Sequence, residues 1–169
     1  MSAEPDIEIR PAGREAAERL AALHALCFDE AWDASSITRL LAMPGAFALM
    51  ALPSAADGAP EVPLLGLVLA RAGGGEAEIL TIGVDPAARC RRIGRRLLAA
   101  AAATALAAGA DSLFLEVAED NDEALRLYER FGFYLVGIRP AYYARGPLRV
   151  AARTLRCDLP PLRGSVINP

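Results

Sequence analysis

The stretch of this chain best suited to chemistry is the basic turn Arg89-Cys90-Arg91-Arg92-Ile93-Gly94-Arg95-Arg96, where five arginines fall in eight positions. It follows an apolar run (Ile79 to Val84) and Asp85-Pro86, and it leads into a long alanine-rich segment ending near Ala108. That is the pattern of a strand, a tight loop and the start of a helix. The first N–H groups of a helix lack partners within it, and the peptide dipoles leave a partial positive charge there. Guanidinium groups around such an end favour a phosphate-bearing ligand. A bare arginine cluster is more often a solvated helix face, but the junction and the glycine two positions past Arg92 favour the functional reading.

Two further side chains need a reason for their position. Leu113-Phe114-Leu115-Glu116-Val117 is an apolar strand holding one carboxylate, which is costly unless it is paired, neutralised or turned to water. The bland account of Glu116 is a charge at an open strand end. Tyr128 belongs to an apolar stripe with Ala124, Leu127 and Phe131, and on spacing alone it reads as a core aromatic rather than a catalytic acid. His24 and Cys27 stand one helical turn apart; a histidine packed beside a cysteine accounts for them better than a zinc or nucleophile site. No metal is expected.

The elements that position these residues read as follows. Asp6 to Arg10 alternates and ends at Pro11, as a strand would. A helix is predicted from about Gly13 to Phe28 and a short one from Ser35 or Ser36 to Pro44-Gly45, with Trp32 in the loop between. Ala46 to Leu52 and Leu64 to Arg71 have strand length, joined by a Pro, Gly, Ser and Ala rich surface loop. Gly73-Gly74-Gly75 turns the chain into the central strand. After the alanine-rich helix come the Glu116 strand and a helix capped by Asp120-Asn121-Asp122-Glu123 and stopped at Gly132. The fold class is α+β in three layers: a mixed, mostly antiparallel sheet of about seven strands with about four helices on its faces. Residues 1–160 read as one domain and 161–169 as an extended tail.

Composition removes several function classes. A chain of 169 residues with 54% apolar and 23% charged residues is globular, and a net charge of -3 argues against direct nucleic-acid binding. All 18 basic residues are arginine; with no lysine there is neither Schiff-base chemistry nor a Walker-type phosphate loop. Three scattered cysteines suit a reducing compartment, and the acidic N-terminus is not a signal peptide, so a cytoplasmic protein is expected. No run reaches the ~20 residues that span a bilayer.

The order of elements, the basic loop at Arg89 to Gly94, the Leu-Glu-Val strand and Asn121-x-x-Ala124-x-x-Leu127-Tyr128-x-x-Phe131-Gly132-Phe133 together resemble the GNAT superfamily of N-acetyltransferases. Cys27-Phe28 leading to Trp32, Glu76 to Ile82, and Arg139-x-x-Tyr142-Tyr143 after the sixth strand resemble its ribosomal-protein-alanine N-acetyltransferases of the RimI type. The resemblance implies acetyl-CoA as donor, entering where the fourth and fifth strands splay apart. Its pyrophosphate would rest on the loop of Arg89, Cys90, Arg91, Arg92, Ile93, Gly94 and Arg95, and its pantetheine arm on Ile82, Gly83, Val84 and Asn121. It implies Glu116 as base for the amine, directly or through a water, and Tyr128 as acid for the CoA thiolate. Trp32, Thr81, Arg139, Tyr142 and Tyr143 would meet the acceptor.

The expected activity is therefore acetyl transfer to the α-amine of a protein N-terminus, with a small-subunit ribosomal protein beginning in alanine as acceptor. A small-molecule amine, or a non-catalytic acetyl-CoA-sensing module, are the alternatives. A monomer is expected. Two departures from the family pattern stand out. Arg92 replaces the first glycine of the phosphate loop, where a helical conformation would tolerate it. Arg149-Val150-Ala151-Ala152 stands just before the last strand, where relatives carry an acidic residue that could hold a peptide amine.

Overall fold

The computed structural model describes residues 6–54 and 62–160. Seven strands, β1 (Ile7–Ala12), β2 (Ala46–Pro53), β3 (Gly66–Gly73), β4 (Glu76–Val84), β5 (Ser112–Ala118), β6 (Tyr134–Arg145) and β7 (Leu148–Asp158), form one sheet in the order β1-β2-β3-β4-β5-β7-β6. Its helices are α1 (Ala17–Cys27), α2 (Ala34–Leu41), α3 (Ile93–Ala107) and α4 (Asp122–Phe131). The mixed, mostly antiparallel sheet with four helices is the expected fold class. Residues 55–61 of the expected surface loop and the expected tail, 161–169, lie outside the described residues.

The described residues group into two compact units, one from residues 6–71 with Ile79–Ala101, the other from Ala72–Glu78 with residues 102–160. In the first, β1, β2 and β3 pair antiparallel in succession. Ala48 faces Leu69 and Met50 faces Leu67 across the β2–β3 ladder, so these side chains share one face. Leu20 and Leu23 of α1 and Ile37 of α2 pack with them into one core, against which Trp32 also lies. Leu20, Ile37 and Leu67 have no exposed surface, and truncating any one to alanine should cost about 2 to 5 kcal/mol. Asp33 caps α2, accepting from the Ser36 N–H at 2.7 Å, so the helix opens at Ala34, just ahead of the two serines expected to start it. β1 runs through Pro11 to Ala12 instead of stopping there: it is an outer strand, where a missing N–H is tolerated.

In the second unit β7 pairs antiparallel with both β5 and β6. Leu113, Leu115 and Val117 alternate with the half-buried Phe114 and Glu116 along β5. α4 is capped by Asn121, whose Oδ1 accepts from the Ala124 N–H, and it ends on Gly132 in the left-handed conformation at φ 113. Two sequence boundaries need correction. Arg139, Tyr142 and Tyr143 lie inside β6 rather than after it, because the strand absorbs irregularities after Leu135 and Arg139 and resumes pairing at Tyr143. Arg149 to Ala152 likewise lie inside β7. The turn is only Gly146-Pro147, with Gly146 at φ 58, so pairing restarts at Leu148.

Candidate active site

The basic turn is built from β4 outward. Asp85 accepts from the Ala87 N–H at 2.9 Å and caps a 3-10 turn, Pro86–Ala88, which delivers the chain to the arginines. α3 then opens at Ile93. Cys90 at φ 64 and Arg92 at φ 58 are both left-handed, so the expectation of a helical Arg92 is overturned. Arg92 stands just outside the helix in the backbone state that glycine occupies easily, at a cost of about 1 to 2 kcal/mol for an L side chain. Alternation of this kind turns successive N–H groups into a concave, anion-binding nest.

Ile93 is almost wholly buried and anchors the start of the helix. Gly66 lets it come close, since a Cβ there would lie 2.9 Å from Ile93 Cγ2 and from Leu97 Cδ1. Arg89, Cys90, Arg92 and Arg95 are exposed beside it, and Arg91 and Gly94 are half-buried. Backbone donors at a helix start, with exposed arginines in the adjoining turn, suit a doubly charged pyrophosphate.

On β4, Thr81 and Gly83 are buried and alternate with the half-buried Ile82 and Val84. The buried pair faces the end of α1. A Cβ on Gly83 would sit 3.0 Å from Cys27 Sγ and 3.3 Å from Phe28 Cε2. The Cys27 thiol donates to the Val84 carbonyl at 3.4 Å; burial pushes its pKa up, with Arg89 opposing, so it remains a thiol rather than a nucleophile. His24 Nε2 lies 3.2 Å from Thr81 Oγ1, and the Trp32 N–H donates to His24 Nδ1 at 3.1 Å. The Thr81 hydroxyl, expected to meet the acceptor, is thus engaged by His24. The sequence held no signal of this link, which joins residues far apart in the chain.

The second unit carries the other candidates. Arg139 Nε lies 2.9 Å from Glu116 Oε1. This is the partner that the carboxylate in an apolar strand required, and it joins a residue expected to act as base to one expected to hold the acceptor. Around them Arg139 stands over the Tyr142 ring at 5.6 Å, Tyr142 meets Tyr143 edge-on at 5.1 Å, and Arg145 stands over Tyr143 at 5.9 Å. Arg145 also clamps Asp120 through two hydrogen bonds, at 2.9 and 3.1 Å, which fixes β6 against the turn before α4. That clamp was missed in the sequence.

Tyr128 is buried on α4 and packs edge-on against Phe133 at 5.7 Å. Burial, helped by Tyr143, pushes its pKa well above the ordinary phenol value, so it stays protonated. Burial also raises Tyr143, with Glu116 adding to the shift. Asn121 spends Oδ1 on the α4 cap, and its amide nitrogen is the end not used in that cap. Arg149 Nη1 donates to the Ala141 carbonyl at 3.4 Å.

Residues 17–133 match the family described as Acetyltransferase (GNAT) family. The chain belongs to the GNAT family of acetyltransferases. It is 40% identical over 133 residues to the N-alpha-acetyltransferase RimI of Mycobacterium tuberculosis, covering 77% of this chain and 80% of that one. It is also 41% identical over 86 residues to a mycothiol acetyltransferase of Clavibacter michiganensis, covering 51% of this chain but only 27% of that longer protein. Its fold matches the ribosomal-protein-S18-alanine N-acetyltransferase of Escherichia coli with a TM-score of 0.82, at 19% identity over 96% of this chain and 99% of the other. Arabidopsis thaliana NAA60, solved in complex with acetyl-CoA, matches with a TM-score of 0.77, at 20% identity over 91% and 99% of the chains. Within this GNAT acetyltransferase the family match spans β4, the basic turn, α3, Glu116 and Tyr128. The aromatic and arginine cluster of β6 lies beyond it.

Proposed function

We propose that this acetyltransferase moves an acetyl group from acetyl-CoA to the α-amine of a protein N-terminus, in the cytoplasm, and that its acceptor is a small-subunit ribosomal protein beginning in alanine. The observation that carries the reading is Glu116, a half-buried carboxylate in an apolar strand, ion-paired to Arg139 beside Tyr142 and Tyr143. The likeness to an N-alpha-acetyltransferase over most of both chains supports it.

Acetyl-CoA supplies an activated thioester. The chain's own residues bind, orient and move protons. N–H groups and guanidiniums from Arg89 to Arg95 hold the pyrophosphate, β4 from Ile82 to Val84 aligns the pantetheine arm, and the amide nitrogen of Asn121 adds a donor. An α-ammonium has a pKa near ~8 and must lose a proton before it can attack. Glu116 takes that proton, directly or through one water, while Arg139 keeps the carboxylate aimed. As the amine nitrogen bonds to the acetyl carbon the C–S bond breaks, and the buried Tyr128 hydroxyl donates to the departing sulfur. Its raised pKa keeps that proton in place at every physiological pH.

A small-molecule amine is the second reading, favoured by the partial likeness to a mycothiol acetyltransferase. Thiol release from acetyl-CoA, measured with a panel of N-terminal peptides beside N-acetylated, lysine-side-chain and polyamine controls, separates the two. Turnover with a free-amine, alanine-first peptide and none with its N-acetylated form is expected. A preference for polyamines or sugar amines would overturn the peptide assignment.

A further inference from the structure

His24 is the single histidine and Trp32 the single tryptophan of the chain, and the two are stacked. The imidazole is 2% exposed and lies between two aromatic rings. Phe28 has its centroid at 4.4 Å, and the Trp32 indole lies at 4.9 Å, tilted by only 15°. Both ring nitrogens are engaged. The Trp32 backbone N–H can only donate, so Nδ1, 3.1 Å away, must be its acceptor and carry no proton. The one proton of a neutral imidazole then sits on Nε2, 3.2 Å from Thr81 Oγ1, and points toward the hydroxyl. Burial lowers the pKa of the ring, which keeps it neutral.

The packing has a mechanical result. Residues 29–31 are exposed, and the next residue, Trp32, is fastened to the body of the unit by its N–H to His24 and by its ring. Asp33 immediately caps α2. The loop between α1 and α2 is therefore fixed at one point, and the histidine that fixes it is hydrogen-bonded to β4. Flexible loops adapt to ligands of different size, whereas a fastened aromatic wall excludes those that do not fit.

We propose that His24, as the Nε2–H tautomer, is a positioning residue that latches the Trp32 loop to Thr81 of β4 and so makes it a rigid wall selecting for a small first side chain on the acceptor. This rests on the peptide-acceptor reading given above and on Trp32 meeting the acceptor, the role that the family resemblance implies for it. His24 touches no reactant; it acts through Trp32 and Thr81.

The two hydrogen bonds can be separated by substitution. In His24→Asn the amide oxygen occupies the place of Nδ1 and can still accept from the Trp32 N–H. In His24→Gln the amide reaches the place of Nε2 and keeps Thr81 but leaves the Trp32 N–H without its acceptor. With one histidine, long-range nitrogen-15 spectra of the uncomplexed enzyme read its tautomer directly, and Nε2–H is expected. With one tryptophan, acrylamide quenching reads the wall. The quenching constant should stay near wild type in the Asn variant and rise at least about twofold in the Gln variant.

With peptides, the wild-type preference in kcat/KM for alanine-first over leucine-first acceptors should fall about tenfold in the Gln variant, mostly through KM, while KM for acetyl-CoA stays within about twofold. A proton on Nδ1, equal quenching in the two variants, or an unchanged preference would each overturn the proposal. Failure of the wild-type enzyme to acetylate any peptide would instead sink the acceptor reading, while tautomer and quenching would still decide whether the latch exists.

Discussion

Arg139 and Glu116 meet at 2.9 Å because β7 serves as a common neighbour: Glu116 faces Thr154 and Arg139 faces Ala152 along it. The guanidinium side is 61% exposed and the carboxylate side 19%, so solvent screens the pair from one side. Such a pair adds at most about 1 kcal/mol to stability. On the proposed mechanism its value lies in aiming a carboxylate. Arg139→Ala should leave the unfolding midpoint nearly unchanged and lower kcat/KM for peptide about tenfold. Glu116→Gln should lower kcat by roughly 10² to 10⁴-fold with acetyl-CoA affinity unchanged. Denaturant unfolding, calorimetry and thiol-release kinetics on the two variants check this, and a Glu116→Gln enzyme with full kcat would return Glu116 to a structural role.

Tyr128→Phe keeps the ring against Phe133 and removes only the hydroxyl. A placed proton donor is worth about 10² to 10⁴-fold, and CoA thiolate is a fair leaving group, so a loss of kcat near 10²-fold is expected with acetyl-CoA binding intact. The same variant has an alkaline signature. The folded pKa of Tyr128 is raised, so its stabilising share is complete below the unfolded value of about 10 and is lost as pH climbs toward the folded one. Thermal melts above about pH 10 should therefore fall less steeply in Tyr128→Phe than in the wild type.

Arg92 trades backbone strain for charge. Arg92→Gly relaxes φ 58 at the start of α3 and should raise stability by about 1 kcal/mol, seen as a higher melting temperature without ligand. The same change removes one guanidinium from the nest, so acetyl-CoA should bind more weakly and with a shallower salt dependence. Calorimetry at two salt concentrations tests it; tighter binding by the glycine variant would contradict a phosphate role for this side chain.

Burial holds the folded pKa of His24 below the ordinary histidine value. Its contribution to stability is accordingly present above about pH 6.5 and disappears as pH falls through the lower folded value. Melting temperatures followed from about pH 7 down to about pH 5 should drop more steeply for the wild type than for His24→Asn, which has no proton to take up. Parallel curves would show that the ring is already solvated.

Local signals carried far in this chain. Alternation marked β1, apolar runs of strand length marked β2 to β5, Gly132 and Asn121 marked the ends of α4, and the run of arginines marked the start of α3. What stayed hidden depends on register or distant contact. A bulge keeps Arg139 within β6, and three strands in register bring it to Glu116. The handedness of Arg92 follows from how the chain enters α3, and the reach of His24 to Thr81 from how α1 lies on β4. Neither leaves a periodic trace.

Both outer strands of the sheet carry a proline, Pro11 in β1 and Pro140 in β6. In β6 this matters beyond geometry, because Tyr134-Leu135-Val136-Gly137-Ile138 is an uncharged run whose tyrosine, leucine, valine and isoleucine are about half exposed. A free edge of that composition is a template on which further chains can stack into fibres. Arg139 and Pro140 interrupt it with a charge and a missing donor, and Ala141 at φ 50 bends the strand away from a flat edge. The same short segment that presents Arg139 to Glu116 thus also interrupts the edge along which further chains would stack, so replacing Arg139 or Pro140 should lower the protein's solubility as well as disturb that ion pair.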